Sequence, residues 1–219
     1  DGAFDLDIIT DSAIAGIVGV IGGTTALATL DINKTAGATG AVTISNNIGT
    51  TTAAGVTGAL EIGNLNTSTL TLAGAVYNAN AATYTAAAGG TGNNISLTNA
   101  TGVTFTSSND AITFGTSNIL LGDGSDLVVN STGGDISVVA ITGNTVEDVT
   151  LNAAAGNVTV GVIGAADGQI NDVTITGATI NLGGFITTDD DGAGEGGDVD
   201  INGNVILTKN VTIDTSDAG

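Results

Sequence analysis

Apolar residues recur in three interleaved ladders through the second half of this chain, each step 22 to 26 residues long. The first ladder is Val103/Phe105, Leu127/Val129, Val149/Leu151, Val173/Ile175 and Val199/Ile201. The second is Ile112/Phe114, Ile136/Val138, Val158/Val160, Ile180/Leu182 and Val205/Leu207. The third is looser: Ile95/Leu97, Ile119/Leu121, Ile141, Ile163, Phe185, then Val211/Ile213. Each pair is a short strand with two inward side chains, because strand residues alternate faces. Three strands per fixed period describe a coil with three walls, and such coils stack on one another. The chain is therefore expected to be all-β, a three-sided parallel β-helix (β-solenoid) forming a single domain over residues 1–219. At ~23 residues and ~4.8 Å per coil, it would hold roughly nine coils in a rod ~45 Å long. A tandem of antiparallel sandwiches would keep the alternation but would not return equivalent positions at a fixed coil length.

Composition suits a narrow β core. Aromatic residues are 3% of the chain, and large rings do not fit every layer of stacked β-branched columns. Proline is absent, so no strand loses a ladder donor. Cysteine is absent too, which excludes disulfides and thiolate metal sites. The formal net charge is −20, with Lys34 and Lys209 the only cations. Nothing in the chain can neutralise a phosphate backbone, so a nucleic-acid partner is excluded. Binding to an anionic membrane is disfavoured for the same reason. The apolar stretch 13–23 is too short and too glycine-rich to insert across a bilayer. The charge balance fits a cation-rich extracellular setting. No methionine occurs, so residue 1 is expected to follow processing or to continue a longer protein.

Along the chain, Phe4-Asp5-Leu6-Asp7-Ile8 alternates as a half-buried strand. Residues 11–30 show no clean period, and a short apolar helix is an open option there. Strands resume at Val42-Thr43-Ile44, Leu60-Glu61-Ile62 and Leu70-Thr71-Leu72. Residues 78–94, rich in Ala, Asn, Thr and Gly, read as a long turn. One coil is longer than its neighbours because a few residues enter between 187 and 198, an acidic loop inserted at a coil corner. Solenoid insertions map to exposed loops, often on a functional face. Both ends read as coil interior, with strand edges open to pairing. The expected partner is another copy, in a filament or lattice, or the continuation of a longer rod.

Asp126, Asp148, Asp172 and Asp198 each immediately precede a first-ladder strand. Stacked, they form an aspartate file at one corner, with Glu147 and Asn171 beside it. An oxygen-rich corner without histidine suits Ca²⁺ rather than a transition metal. The plain alternative is that aspartates favour turns leading into strands and stay solvated. A second Ca²⁺ candidate is the insertion, through Asp189, Asp191 and Glu195, although it lacks the ligand spacing of an EF-hand loop. Gly122-Asp123-Gly124-Ser125-Asp126-Leu127-Val128 resembles one turn of the calcium-binding nonapeptide repeat of secreted toxins, with only a weak echo at 90–95. Outward threonines form part-ladders (Thr104, Thr150, Thr174; Thr113, Thr159), interrupted by Val128, Asp200, Ser137 and Asn181. Threonine is a good outward strand residue, so ice binding is the lesser reading.

Catalysis finds little support. Lyases on this fold use arginine or lysine as base, and hydrolases need paired carboxylates flanked by aromatic platforms. Tryptophan is absent, and Tyr77 and Tyr84 lie far from the acidic file. The chain is read as a non-enzyme, with a carbohydrate-active β-helix, hydrolase or lyase-like, as the alternative.

The units Val-Thr-Ile, Asp-Val-Asp-Ile-Asn-Gly-Asn-Val and Asn-Ile-Ser-Leu-Thr-Asn-Ala-Thr-Gly resemble those of filamentous-haemagglutinin-type and autotransporter-type bacterial surface proteins over residues 40–219. The resemblance implies secretion to the bacterial cell surface, a rod-like β-helix, and a structural or adhesive role with a glycan or host-surface ligand.

Overall fold

The structure is a computed structural model, and it describes residues 4–11, 14–35, 37–86, 94–143, 147–164, 170–189 and 196–216. Every strand pairing among them is parallel, and the strands stack as a β-solenoid of about eight turns. Parallel stacking follows from the sequence period, since a strand that returns after one full turn travels in the same direction as its predecessor.

The three ladders become three walls. On the first, Leu127 lies between Val103 and Val149, and Val129 between Phe105 and Leu151. The column continues through Val173/Ile175 to Val199/Ile201. On the second wall, Ile136 lies between Ile112 and Val158, and Ile180 between Val158 and Val205. The same wall runs back through Ala82 and Leu60 to Leu30 and Leu6. The third wall starts at Ile14 and passes through Val42, Leu70, Ile95, Ile119 and Ile141 to Ile163. Inward residues of the middle turns form one continuous hydrophobic core. Each fully buried Val, Leu or Ile there contributes about 1.5–3 kcal/mol of transfer free energy.

Two of the turns before Ile112 are longer than the period of the second half. Leu30 to Leu60 and Ala82 to Ile112 each take thirty residues. That is why about eight turns form rather than nine. Val173 pairs with Val199 and Ile180 with Val205.

Three expectations are corrected. The apolar helix considered for 11–30 does not form: Ile14–Ile17 is a strand, Ile21 bridges to Ile48, and Thr29–Ile32 is a second-wall strand. Alternation within a stacked wall overrides the weak local pattern. The long turn read at 78–94 is strand over 78–84, because Val76–Tyr84 is one nine-residue strand serving two walls. Residues 87–93 of that stretch lie outside the described residues. Phe185 is not the third-wall residue of its turn: it is exposed, and Ile186 pairs with both Ile163 and Ile213.

Four of the six aromatic residues gather in two adjacent turns. Tyr77 stacks on Phe105 at 5.1 Å, and Tyr84 on Phe114 at 5.5 Å. Edge-to-face contacts link the two columns, including Phe105 to Phe114 at 5.0 Å. Rings that would crowd an isolated layer fit because each turn here carries two and the next turn repeats them.

A candidate site at the acidic corner

The corner from the third wall to the first carries the aspartate file. Its backbone runs on as ladder: the Val103 N–H donates to the Asp126 carbonyl at 2.8 Å, and the Val173 N–H to that of Asp198 at 2.9 Å. The side chains add a second ladder. Asp126 Oδ1 accepts the Asp148 N–H at 3.0 Å. Asp148 Oδ1 accepts the Asp172 N–H at 3.2 Å and the Asn171 Nδ2–H at 2.9 Å. Asp172 Oδ1 accepts the Asp198 N–H at 2.8 Å. Each carboxylate thus reaches one turn onward and holds the N–H of the next aspartate. Charge-assisted bonds of this kind are about twice as strong as neutral ones. One turn earlier the file is occupied by Gly102, whose φ of 91° is a conformation that L side chains rarely adopt.

Glu147 does not join this file. It takes an inward position in Glu147–Asn152, in step with Val149 and Leu151, and is fully buried. Its Oε1 accepts the Gly124 N–H at 3.2 Å. The buried Ser125 donates from Oγ to the Asn99 carbonyl at 2.9 Å. Adjacent strand residues face opposite ways, so Glu147 and Asp148 cannot serve one outward site. The Gly122–Val128 motif folds as a tight turn, with the Ser125 N–H on the Gly122 carbonyl at 2.8 Å and Gly124 at φ 68°.

The acidic insertion opens at this same corner. Its base is tied by Thr188, whose buried Oγ1 donates to the Gly197 carbonyl at 2.8 Å. The Asp189 N–H donates to the Ile170 carbonyl at 2.8 Å. Asp191 and Glu195 lie outside the described residues. Among the described residues, no three acidic side chains converge on one point.

A second charged group escaped the sequence reading. Leu6-Asp7-Ile8, Leu30-Asp31-Ile32 and Leu60-Glu61-Ile62 stack in register, which puts Asp7, Asp31 and Glu61 in one outward row on the second wall. Lys34 bridges the last two, with Nζ 3.5 Å from Asp31 Oδ2 and in direct contact with Glu61 Oε2. The hydrogen bond to Glu61 pushes the Lys34 ammonium above its ordinary value, helped by the charges of Glu61 and Asp31 and opposed by partial desolvation. Beside it is a depression of about 280 Å³ lined by Lys34, Glu61, Asn64, Thr83, Thr85 and Thr116. Two carboxylates bound to one ammonium act as a clasp between turns. The signal was in the sequence: three apolar–acid–apolar triplets and one lysine two residues past the second triplet.

Comparison with protein-family models, with curated proteins and with solved structures returned no match.

Proposed function

We propose that this chain is a non-enzymatic, structural or adhesive rod segment of a bacterial extracellular protein of the filamentous-haemagglutinin or autotransporter kind. The observation that carries the reading is the use made of the acidic corner. The carboxylates of Asp126, Asp148 and Asp172 bind backbone N–H groups of the following turns. Polar groups used in this way stiffen the stack. A continuous ladder on three walls around a buried hydrophobic core resists both local opening and proteolysis. Low cation content suits the same role, since only Lys34 and Lys209 offer trypsin-like cleavage points. Outward rows of Thr, Ser and Asn on the walls are the surface on which a glycan or host-surface ligand would lie.

Calcium belongs to this proposal as a counter-ion for the corner. Carboxylates repeated every ~4.8 Å repel one another by about 1 kcal/mol per neighbour in water. Isothermal titration and thermal melting in millimolar Ca²⁺ test this: heat uptake or release with a raised Tm is expected, and neither effect removes calcium from the account.

The functional reading is tested by negative-stain electron microscopy together with a polysaccharide panel. Thin rods and no liberated reducing sugar are expected. Sugar release that is lost in an Asp31→Asn or Glu61→Gln variant would replace the reading with a carbohydrate-active one.

A further inference from the structure

The depression beside the Lys34 clasp crosses four successive turns and is built around one threonine. Thr85 is only 8% exposed and lines the depression, yet its Oγ1 has no hydrogen-bond partner among the described residues. A hydroxyl on a residue this buried is ordinarily bonded. The oxygen is not sealed in the core; it reaches the depression. Two glycines keep it open. Ile62 pairs with Tyr84 and Ala82 with Ile112, so Gly63 and Gly115 lie beside Thr85 in the preceding and following turns. Gly115 has a φ of 42°, and a Cβ built on it would come 2.6 Å from Thr85 Oγ1. Any side chain there would crowd the hydroxyl and fill the space in front of it.

The rest of the lining decides what fits. Thr83 is the register partner of Glu61 in the following turn. Neither its hydroxyl nor that of the exposed Thr116 is bonded among the described residues. Each such hydroxyl can both donate and accept. The Lys34 ammonium has three N–H donors, and its contacts with Asp31 and Glu61 take two of them. Leu65, 61% exposed, supplies an apolar flank. Two carboxylates outnumber the one cation, in a chain of net charge −20, so an anionic ligand is repelled. A cationic ligand finds both carboxylates already paired with Lys34. What remains complementary is a neutral molecule with adjacent hydroxyls on one side and C–H groups on the other, which is the chemistry of a pyranose ring. A space of about 280 Å³ is at the small end of ligand pockets (~300–1,000 Å³) and suits one sugar residue rather than a chain of them.

We infer that this depression binds the terminal residue of a neutral glycan, with Thr83, Thr85 and Lys34 on its hydroxyls and Leu65 against its C–H face. The inference rests on the adhesive reading above and deepens it by naming the ligand class and the place. The open hydroxyl of Thr85 gains the partner it lacks, and a sugar hydroxyl meets a group that can either donate or accept. A small site open to solvent holds a single sugar weakly, in the millimolar range, and firm attachment comes from many chains displayed together.

The test is saturation-transfer-difference NMR on the full chain with methyl glycosides, with folding of each variant verified by circular dichroism. The methyl glycosides of glucose, galactose, mannose and N-acetylglucosamine are the neutral probes; those of glucuronic acid and glucosamine carry the negative and the positive charge. At least one neutral probe is expected to bind, and more tightly than either charged one. Thr85→Val keeps the side-chain shape, removes the hydroxyl, and is expected to weaken that binding roughly fivefold. Thr83→Val, at a less buried position, is expected to weaken it similarly. Thr159→Val, on the same wall outside the depression, is expected to leave it unchanged. No transfer to any neutral probe overturns the inference. So does a charged probe that binds best, binding indifferent to both Thr83→Val and Thr85→Val, or an equal loss in Thr159→Val. The non-enzymatic reading fails separately, if free methanol from a cleaved glycoside appears in the same spectra.

Discussion

Replacing either tyrosine by phenylalanine removes one oxygen atom, yet the two replacements should move stability in opposite directions. Tyr77 and Tyr84 are neighbours, with ring centroids 6.3 Å apart and both side chains buried. The Tyr77 hydroxyl accepts the Gly74 N–H at 2.9 Å and donates to the Ile44 carbonyl at 3.4 Å. Its removal leaves a buried N–H without an acceptor, which costs about 1–3 kcal/mol. The Tyr84 hydroxyl is equally buried but has no hydrogen-bond partner among the described residues. Burial of a hydroxyl in that state costs about 1–3 kcal/mol on mutational scales, so Tyr84→Phe should recover part of it. The ring itself stays, and with it the stack on Phe114 and the edge contact with Phe105. Urea or guanidinium unfolding of the three proteins is the assay, with the midpoint as readout at constant slope. Tyr77→Phe is expected to lower stability by about 1–2 kcal/mol, and Tyr84→Phe to raise it by about 1 kcal/mol. A Tyr84→Phe protein less stable than the parent by 1 kcal/mol or more would refute the reasoning. It would mean that the hydroxyl finds a partner, such as a buried water, that the packing described here does not provide.

The same two side chains predict alkaline sensitivity. Burial holds both phenols above their ordinary value, so the folded state keeps protons that the unfolded state releases. Stability is then intact below about pH 10 and falls above it, with a slope that approaches about 3 kcal/mol per pH unit for the pair once the unfolded phenols have ionised. Unfolding midpoints that stay flat from pH 9 to 11, or a slope that survives in the doubly Phe-substituted protein, would count against this. Asp148→Ala removes the acceptor for the Asp172 N–H and the Asn171 amide, and should cost about 1–2 kcal/mol at this partly exposed corner; Asp148→Asn, which keeps an acceptor oxygen, should cost less, and equal losses would argue against the inter-turn bond. Gly161→Ala would place a Cβ 2.1 Å from the Val139 carbonyl of the preceding turn and should destabilise by about 3 kcal/mol. Gly37→Ala meets nothing within 4 Å and should change stability by less than about 0.5 kcal/mol.

Most of the architecture could be read in the sequence because each wall repeats one chemical demand. An inward position in the middle turns meets a like position above and below, so Leu127, Val149 and Val173 must all be aliphatic. Where that demand relaxes, the pattern loses information. In 78–84 the inward residues besides Tyr84 are Ala79 and Ala82, small because the rings of Tyr77, Tyr84, Phe105 and Phe114 take the available space. A strand of alanines and asparagines looks like a turn. Phe185-Ile186 offered two adjacent apolar residues, and the 22-residue spacing from Ile163 favoured the wrong one. The actual step is one residue longer, absorbed at the corner through Gly183 and Gly184. Glu147 shows a different failure. Its place in the alternation with Val149 and Leu151 marked it as inward, but its charge suggested the surface. The Lys34 clasp needed the register of Asp31 and Glu61, which a reading of single strands does not supply.

Pairing of successive windings in parallel register is the premise beneath all of this, and a cysteine pair tests it directly. The chain has no native cysteine, so every disulfide is introduced. Thr150 and Thr174 are register partners on the outward face of the first wall. Partners on adjacent strands lie about 4.8 Å apart, within the span a disulfide bridges, whereas an offset of two residues exceeds ~7 Å. In dilute protein under mild oxidation, Thr150→Cys/Thr174→Cys is predicted to close an intramolecular disulfide rapidly, and Thr150→Cys/Thr176→Cys to remain reduced. Closure of the second pair with the first left open would contradict the stacking of these turns.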